Sequence, residues 1–385
     1  MTDRPYDLVL LGATGFTGGL VAAHLAGRVG ALRWAIAGRD RDRLAQVADR
    51  LAADGGSVPA VEVVDVTDLV GLIDLAARTS AMATTVGPYA RLGEPVVQAC
   101  VRAGTDYADI TGEPAFVDLL RARYDADAAR QGVRVVNSCG FDSVPHDLGV
   151  AFTVAQLPDD VPLTVRGYVR GQGRLSGGTL RSALGAIADR TPAAPRPDRD
   201  PVATQRRRAI GLPPRVHRVT ELGGWGVPLP TIDPSIVLRS ARELEGYGSA
   251  FRYGHYAHVR RLPAAAAGIA TVGTAAAMAS LRPTRAVLER LLPDAGTGPD
   301  EETRARSSFS VTFLGRGGDH TVRTRVAGGD PGYGETARMF GEAALTLASG
   351  EAPGRAGVVT PAIALGAPYL ARLRDQGLTV EVLTD

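Results

Sequence analysis

The run Gly12-Ala13-Thr14-Gly15-Phe16-Thr17-Gly18-Gly19 constrains this chain more than any other feature. It follows a short apolar stretch, Tyr6–Leu11, and opens a helically spaced one, Phe16–Val29. A strand that turns through glycines into a helix offers backbone amides and the positive helix end to a pyrophosphate. Gly12 permits the tight turn, Gly15 the approach of the phosphates, and Gly18 close packing of helix on strand. Thr14, Phe16 and Thr17 complete the expected cofactor contacts of the turn.

The first 150 residues continue in the same alternation. Arg33–Ala37, Val61–Val64, Met82–Val86, Tyr107–Asp109 and Val133–Asn137 read as strands. The helical stretches Arg41–Ala53, Asp68–Arg78, Glu94–Ala103 and Phe116–Gln131 separate them. This predicts an α/β fold with a Rossmann-type, doubly wound parallel sheet over residues 1–149. From residue 150 to 328 the pattern changes to a second α/β domain with a mixed or antiparallel sheet. There Leu163–Arg170 and Ile236–Leu238 read as strands, and Ser307–Leu314 pairs with His320–Val326. Asp189–Val216, rich in proline and arginine, reads as a loop or flap. Arg206, Arg207 and Arg208 within it suit a solvated surface or a contact for a phosphate or acidic carrier. Residues 329–385 are expected to return to the first domain, through a helix over Glu335–Ser349 that Gly350 caps.

The end of the second strand speaks to cofactor choice. An acidic residue there grips the ribose 2′-hydroxyl of NAD, but Arg39 stands in its place, with Arg43 close behind. Arginine pairs with a 2′-phosphate through two parallel hydrogen bonds, so the sequence points to NADPH. Asp65, after the third strand, is expected near the adenine or as a helix cap.

Composition removes several chemistries. All 43 basic residues are arginine, which excludes a Schiff-base lysine and any tyrosine–lysine proton relay. Two cysteines make no disulfide framework, and the scattered histidines show no motif for a metal. A net charge of +2 gives no reason to expect nucleic-acid binding. The N-terminus enters a strand directly, without a signal peptide, so a cytoplasmic protein is expected. Leu262–Leu281 carries no charge; it reads as a buried or pocket-covering helix, with membrane-surface contact as the alternative.

Ligands of such a sheet bind beyond the carboxyl ends of its strands. Two ends are chemically unusual: Val86-Gly87-Pro88-Tyr89, and Ser138-Cys139-Gly140-Phe141-Asp142-Ser143. Val86, Gly87, Tyr89 and Cys139 are the expected cofactor contacts there. Asp142 and Ser143 are candidates for catalysis or for capping the next helix.

Together with Gly12–Gly18, the stretches Val86–Glu94 and Cys139–Pro145 make the chain resemble the saccharopine dehydrogenase-like oxidoreductases. Ser176–Thr179, Pro230–Pro234, Phe251–Gly254, Gly296–Glu302 and Gly328–Glu335 make it most similar to the actinobacterial trans-acting enoyl reductases. The resemblance implies NADPH-dependent reduction of a carbon–carbon double bond on a lipid- or polyketide-like intermediate, free or carrier-bound. It hands over no catalytic residue. Tyr89 is the first candidate for the proton donor, followed by Tyr253 and Tyr333, with His255 and Tyr256 in the aromatic run Phe251–His258. Two rivals stay open: an imine or ketone reductase of a small metabolite, and a non-enzymatic, lipid-associated nucleotide binder. The residues do not fix the oligomeric state, and a homodimer is one arrangement open to the chain.

Overall fold

The computed structural model describes residues 4–172, 207–261, 263 and 298–384. They form two units. The first runs to Val144 and resumes at Tyr333–Gly377, with Gly298 added; the second holds the chain from Pro145 on, including Pro299–Gly332 and everything after Leu378.

The first unit is built on seven parallel strands: β1 (Tyr6–Leu11), β2 (Trp34–Gly38), β3 (Ala60–Val63), β4 (Thr79–Thr84), β5 (Asp106–Asp109), β6 (Arg134–Val136) and β14 (Gly357–Val359). Their order is β14-β6-β5-β4-β1-β2-β3, so the direction of winding reverses between β1 and β4. Leu8–Leu11, Ala35–Ala37 and Ala81–Ala83 are at most 1% exposed, as strands covered on both faces must be. The intervening helices are α1 (Phe16–Ala26), α2 (Arg41–Ala53), α3 (Leu69–Ala77), α4 (Tyr89–Leu92), α5 (Glu94–Ala103) and α6 (Pro114–Gln131). Local chemistry sets their ends: Asp40 accepts from the Arg43 amide, Asp68 from that of Gly71, and left-handed Gly104 and Gly132 close α5 and α6.

Two late helices complete this unit, α10 (Gly334–Ala348) and α11 (Pro361–Asp375). Glu342 of α10 is fully buried and meets three basic side chains: His24 at 2.9 Å, Arg28 at 3.2 Å and Arg372 at 3.5 Å. Burial pushes its pKa up, but His24 and Arg28 hold it below the ordinary glutamate value. The cluster fastens α10 between α1 and α11.

The second unit carries an eight-stranded mixed sheet with the path β15-β13-β12-β7-β11-β10-β9, to which β8 adds by pairing with β11. These strands are β7 (Leu163–Gln172), β8 (Arg208–Gly211), β9 (His217–Arg218), β10 (Trp225–Pro228), β11 (Ala250–Val259), β12 (Ser308–Gly317), β13 (His320–Gly328) and β15 (Thr379–Val382). Helix α7 (Val144–Val154) lies on one face of the sheet. A methyl group at Gly149 would lie 2.4 Å from the Phe313 ring, and Thr153 bonds Thr324 at 2.6 Å. The other helices of this unit are α8 (Asp233–Glu243) and the short α9 (Glu301–Ala305).

Three expectations change. Ile236–Leu238 is the middle of α8, not a strand: Pro234 starts the helix, and Ser235, Arg239, Arg242 and Glu243 recur at helical spacing around the short apolar run. Of the expected loop at 189–216, residues 189–206 lie outside the described residues, while Arg208–Gly211 pairs in parallel with β11. The chain after Leu378 joins the second unit, because β15 pairs antiparallel with β13. Leu262–Leu281 is outside the described residues apart from Pro263. Among the described helices none is long and apolar enough to cross a membrane.

Candidate active site

The glycine turn sits at the carboxyl end of β1. Gly12 has φ +96°, its amide donates to Ala37 O at 2.9 Å, and its carbonyl accepts from the Gly15 amide at 3.1 Å. A Cβ at position 12 would meet Thr85 Oγ1 and Val86 Cγ2, both at 2.8 Å. At position 18 it would lie 2.0 Å from Gly12 O. Gly18 therefore sets how closely α1 docks on the turn. Gly15 differs: it is exposed, and a Cβ there would meet only Gly12 O, at 3.5 Å. The space before it is open to a ligand. Helix α1 has no side-chain cap and no acidic residue in its first turn, so its N-terminal amides suit an anion. Thr14, Phe16 and Thr17 are partly exposed around this end, and Tyr333 packs edge-on against Phe16 at 4.8 Å.

Arg39, Asp40 and Arg43 follow β2 and are exposed. Asp40 is the cap of α2. Asp65 folds back on Thr67, accepting from its amide at 2.9 Å and its hydroxyl at 2.7 Å. These bonds, and the positive charge of Arg39, hold its pKa low. The α3 cap is Asp68, not Asp65.

The loops after β4, β5 and β6 are knotted together. Asp109, fully buried at the end of β5, accepts from the amides of Thr111 and Ser138, the Asn137 side chain and the Tyr107 hydroxyl, at 2.7–3.0 Å. Burial outweighs these bonds and raises its pKa to about 6. Asp109 also holds Ser138 at φ +62°, the one left-handed non-glycine among the described residues. Glu113 reaches across to the amides of Tyr89 and Ala90, at 3.0 and 2.8 Å, and so caps α4.

Within this frame the expected residues take different places. Val86 and Gly87 are at the accessible rim of β4. Tyr89 turns inward: it is 6% exposed, and its hydroxyl donates to Thr84 O at 3.0 Å and faces the Ile110 amide at 3.4 Å. Burial, with the charge of Asp109 second, drives its pKa well up. Cys139 is fully buried, its Sγ directed at Val136 O and its amide bonded to Asp109 O at 2.7 Å. Ser143 is buried and donates to the Asp142 carbonyl at 2.7 Å. Asp142 is half-buried, and desolvation alone raises its pKa to about 6. A Cβ at Gly112, in the loop after β5, would lie 3.3 Å from Asp142 Oδ2.

Tyr253 belongs to the second unit, on β11. It is 1% exposed, and its hydroxyl lies 3.2 Å from His255 Nδ1. His255 in turn faces Asp233, and Asp233 faces His146. Sequence reasoning noticed His255 but missed the grouping, because its members stand on two helices and a strand far apart in the chain. Tyr256 lies on the opposite face of the sheet, stacked on Tyr168 at 5.6 Å. Ser176–Thr179 lies outside the described residues.

Comparison with known proteins agrees with this architecture. Residues 8–136 match the saccharopine dehydrogenase NADP binding domain. A Mycobacterium tuberculosis protein, provisionally named a trans-acting enoyl reductase, is 36% identical, with 99% of this chain and 98% of that protein aligned. A trans-acting enoyl reductase of Mycobacterium ulcerans is 35% identical, with 98% of each chain aligned. Among solved structures, the L-Glu-forming saccharopine dehydrogenase of Saccharomyces cerevisiae superposes with a TM-score of 0.56 over 98% of this chain and 99% of its own, at 14% identity. That likeness is one of fold.

Proposed function

The chain belongs to the trans-acting enoyl reductase family, and we propose that it is an NADPH-dependent reductase of the carbon–carbon double bond in an acyl or polyketide-like chain, working in the cytoplasm. The observation that carries the reading is the glycine turn: Gly12 at φ +96°, Gly18 seated on its carbonyl, and open space before Gly15 at the uncapped end of α1. The residues fit the cofactor. The Gly12–Gly18 turn and the first amides of α1 would hold the pyrophosphate, and Arg39 with Arg43 the 2′-phosphate. When bound, NADPH supplies a hydride.

The remaining requirement is a proton for the α-carbon, from an acid at the same strand ends. Asp142 answers it best among the candidates. It stands in the loop after β6 beside Gly112, keeps accessible surface, and has a pKa raised toward neutrality. Asp109 and Glu113 act as positioning residues that fix the loops around it. Tyr89 supports the same loops through its bond to Thr84 O. Tyr333, packed against Phe16, lines the nucleotide end of the site. Carrier-bound delivery of the substrate belongs to this proposal as well: an acidic carrier is one partner that an arginine-rich chain would accept.

The test is NADPH oxidation with trans-2-enoyl thioesters of increasing chain length, with cyclic imines and ketones in parallel. Thioester-dependent oxidation that yields the saturated chain is expected. Oxidation confined to an imine or ketone would replace this reading with the rival reductase.

A further inference from the structure

The second unit holds a cluster that the reduction does not use. His146 lies in the first turn of α7, Asp233 opens α8, and His255 sits on β11; they are 2%, 2% and 6% exposed. Their ligand-type atoms all lie within 4.8 Å of one another. One carboxylate oxygen faces each ring: His146 Nε2 is 3.3 Å from Oδ1, and His255 Nε2 is 3.6 Å from Oδ2. The rings stand edge to face, 4.6 Å apart at 89°.

These spacings are informative. An imidazole hydrogen-bonded to a carboxylate closes to about 2.7–2.9 Å. Ligands of a tetrahedral zinc with bonds of about 2.0–2.1 Å stand about 3.3–3.4 Å apart. The His146–Asp233 pair has the second spacing, and the His255–Asp233 pair, at 3.6 Å, is a little wider than it. We propose that His146, Asp233 and His255 form a binding site for a divalent transition metal, zinc by ligand type, that ties α7 and α8 to the sheet at β11.

The surroundings support the assignment. Two imidazoles and one carboxylate select zinc and its neighbours over magnesium or calcium, which prefer all-oxygen sites. Burial holds both histidines neutral, the form that binds metal. Tyr253 Oη, 3.2 Å from His255 Nδ1, is placed to accept that nitrogen's proton and orient the ring with Nε2 toward the metal. Pro145 and Pro234 each adjoin a ligand and pre-set the helical turns that carry His146 and Asp233.

The experiment uses the full chain, purified without a histidine tag, stripped with a chelator and titrated with Co2+ and Zn2+. The expected result is one Co2+ per chain with the visible absorption of a tetrahedral site, displaced by Zn2+, and a Tm that climbs with metal concentration. His255→Gln and Asp233→Asn remove the absorption. His258→Gln, on the same strand but bonded to Gly223 O, keeps it. Because the wild-type spectrum is itself a readout, a variant that fails to fold does not weaken the test. No Co2+ uptake with an unmoved Tm, or an absorption that survives both ligand substitutions, overturns the site and leaves a hydrogen-bonded triad.

Discussion

Gly18→Ala puts the reading of the nucleotide turn at risk in a measurable way. The new methyl carbon would lie 2.0 Å from Gly12 O and 2.8 Å from both Gly12 C and Thr85 Oγ1. A carbon–oxygen contact relaxes at about 3.3 Å, so roughly 1.3 Å of movement is needed. Gly12 cannot supply it, because its amide is bound to Ala37 O and its carbonyl to the Gly15 amide. Helix α1 must lift instead, against the packing of Val21, Ala22 and Leu25, all 0% exposed. Overpacking of this kind costs about 1–3 kcal/mol of stability. Shifting the amides by about 1 Å weakens cofactor positioning by up to about 100-fold. Gly15→Ala separates the two effects. Its methyl meets only Gly12 O at 3.5 Å, so the apoprotein keeps its stability while the methyl occupies the space before the phosphates. Urea unfolding and NADPH fluorescence titration read both quantities. Gly18→Ala should lose stability and affinity together, Gly15→Ala affinity alone. A Gly18→Ala protein with unchanged urea midpoint and Kd would refute the close docking of α1 on the turn.

Other expectations rest on single groups. Arg39→Ala should weaken NADPH by about 10–100-fold, the worth of a charge-assisted phosphate contact, and leave NADH within about twofold; equal loss of both in titration would remove Arg39 from that role. If Asp142 is the acid, kcat/KM falls as pH rises above its value of about 6, since only the protonated form donates. Asp142→Asn should be slower by about 100-fold or more and lose that limb, and an unchanged profile would send the search to Tyr333. Glu342→Gln breaks a buried carboxylate cluster whose partners are partly exposed, at about 2–4 kcal/mol by thermal or urea unfolding. Because its folded pKa is lowered, that stability is present above the ordinary glutamate pKa and fades as pH falls through the folded value. The gap between variant and wild type should therefore close in acid.

What could be read from sequence was what local chemistry encodes. Gly12 and Gly18 announce their turn because only glycine meets its backbone and contact demands, and Gly15 between them leaves room for a ligand. The strands of the first unit are short apolar runs punctuated by caps such as Asp68 and Gly104. Long-range contacts were not legible. Ile236–Leu238 looks like a strand because a three-residue apolar run taken alone does not distinguish strand from helix. Tyr89 follows β4, where its motif puts it, but the direction of its hydroxyl depends on Thr84 and Ile110. His146, Asp233 and His255 share no spacing, since two helices and a strand bring them together. Asp109, the buried knot beneath the strand ends, reads in sequence only as the end of the strand Tyr107–Asp109, because the Asn137 and Ser138 groups it binds come from another loop.

Strand β14 pairs with β6, and Arg134 beside it bonds Gly354 O across 220 positions of sequence. The sheet of the first unit therefore waits for its edge strand until most of the second unit has been made. At about 5–20 residues per second, the β6 edge waits roughly 10–45 s for its neighbour, with its ladder groups open to any other strand. Through the same interval His24 and Arg28 lack the carboxylate of Glu342. The second unit is synthesised inside that interval, apart from β15. A chain released before Gly357 carries a glycine turn of full sequence on an incomplete sheet.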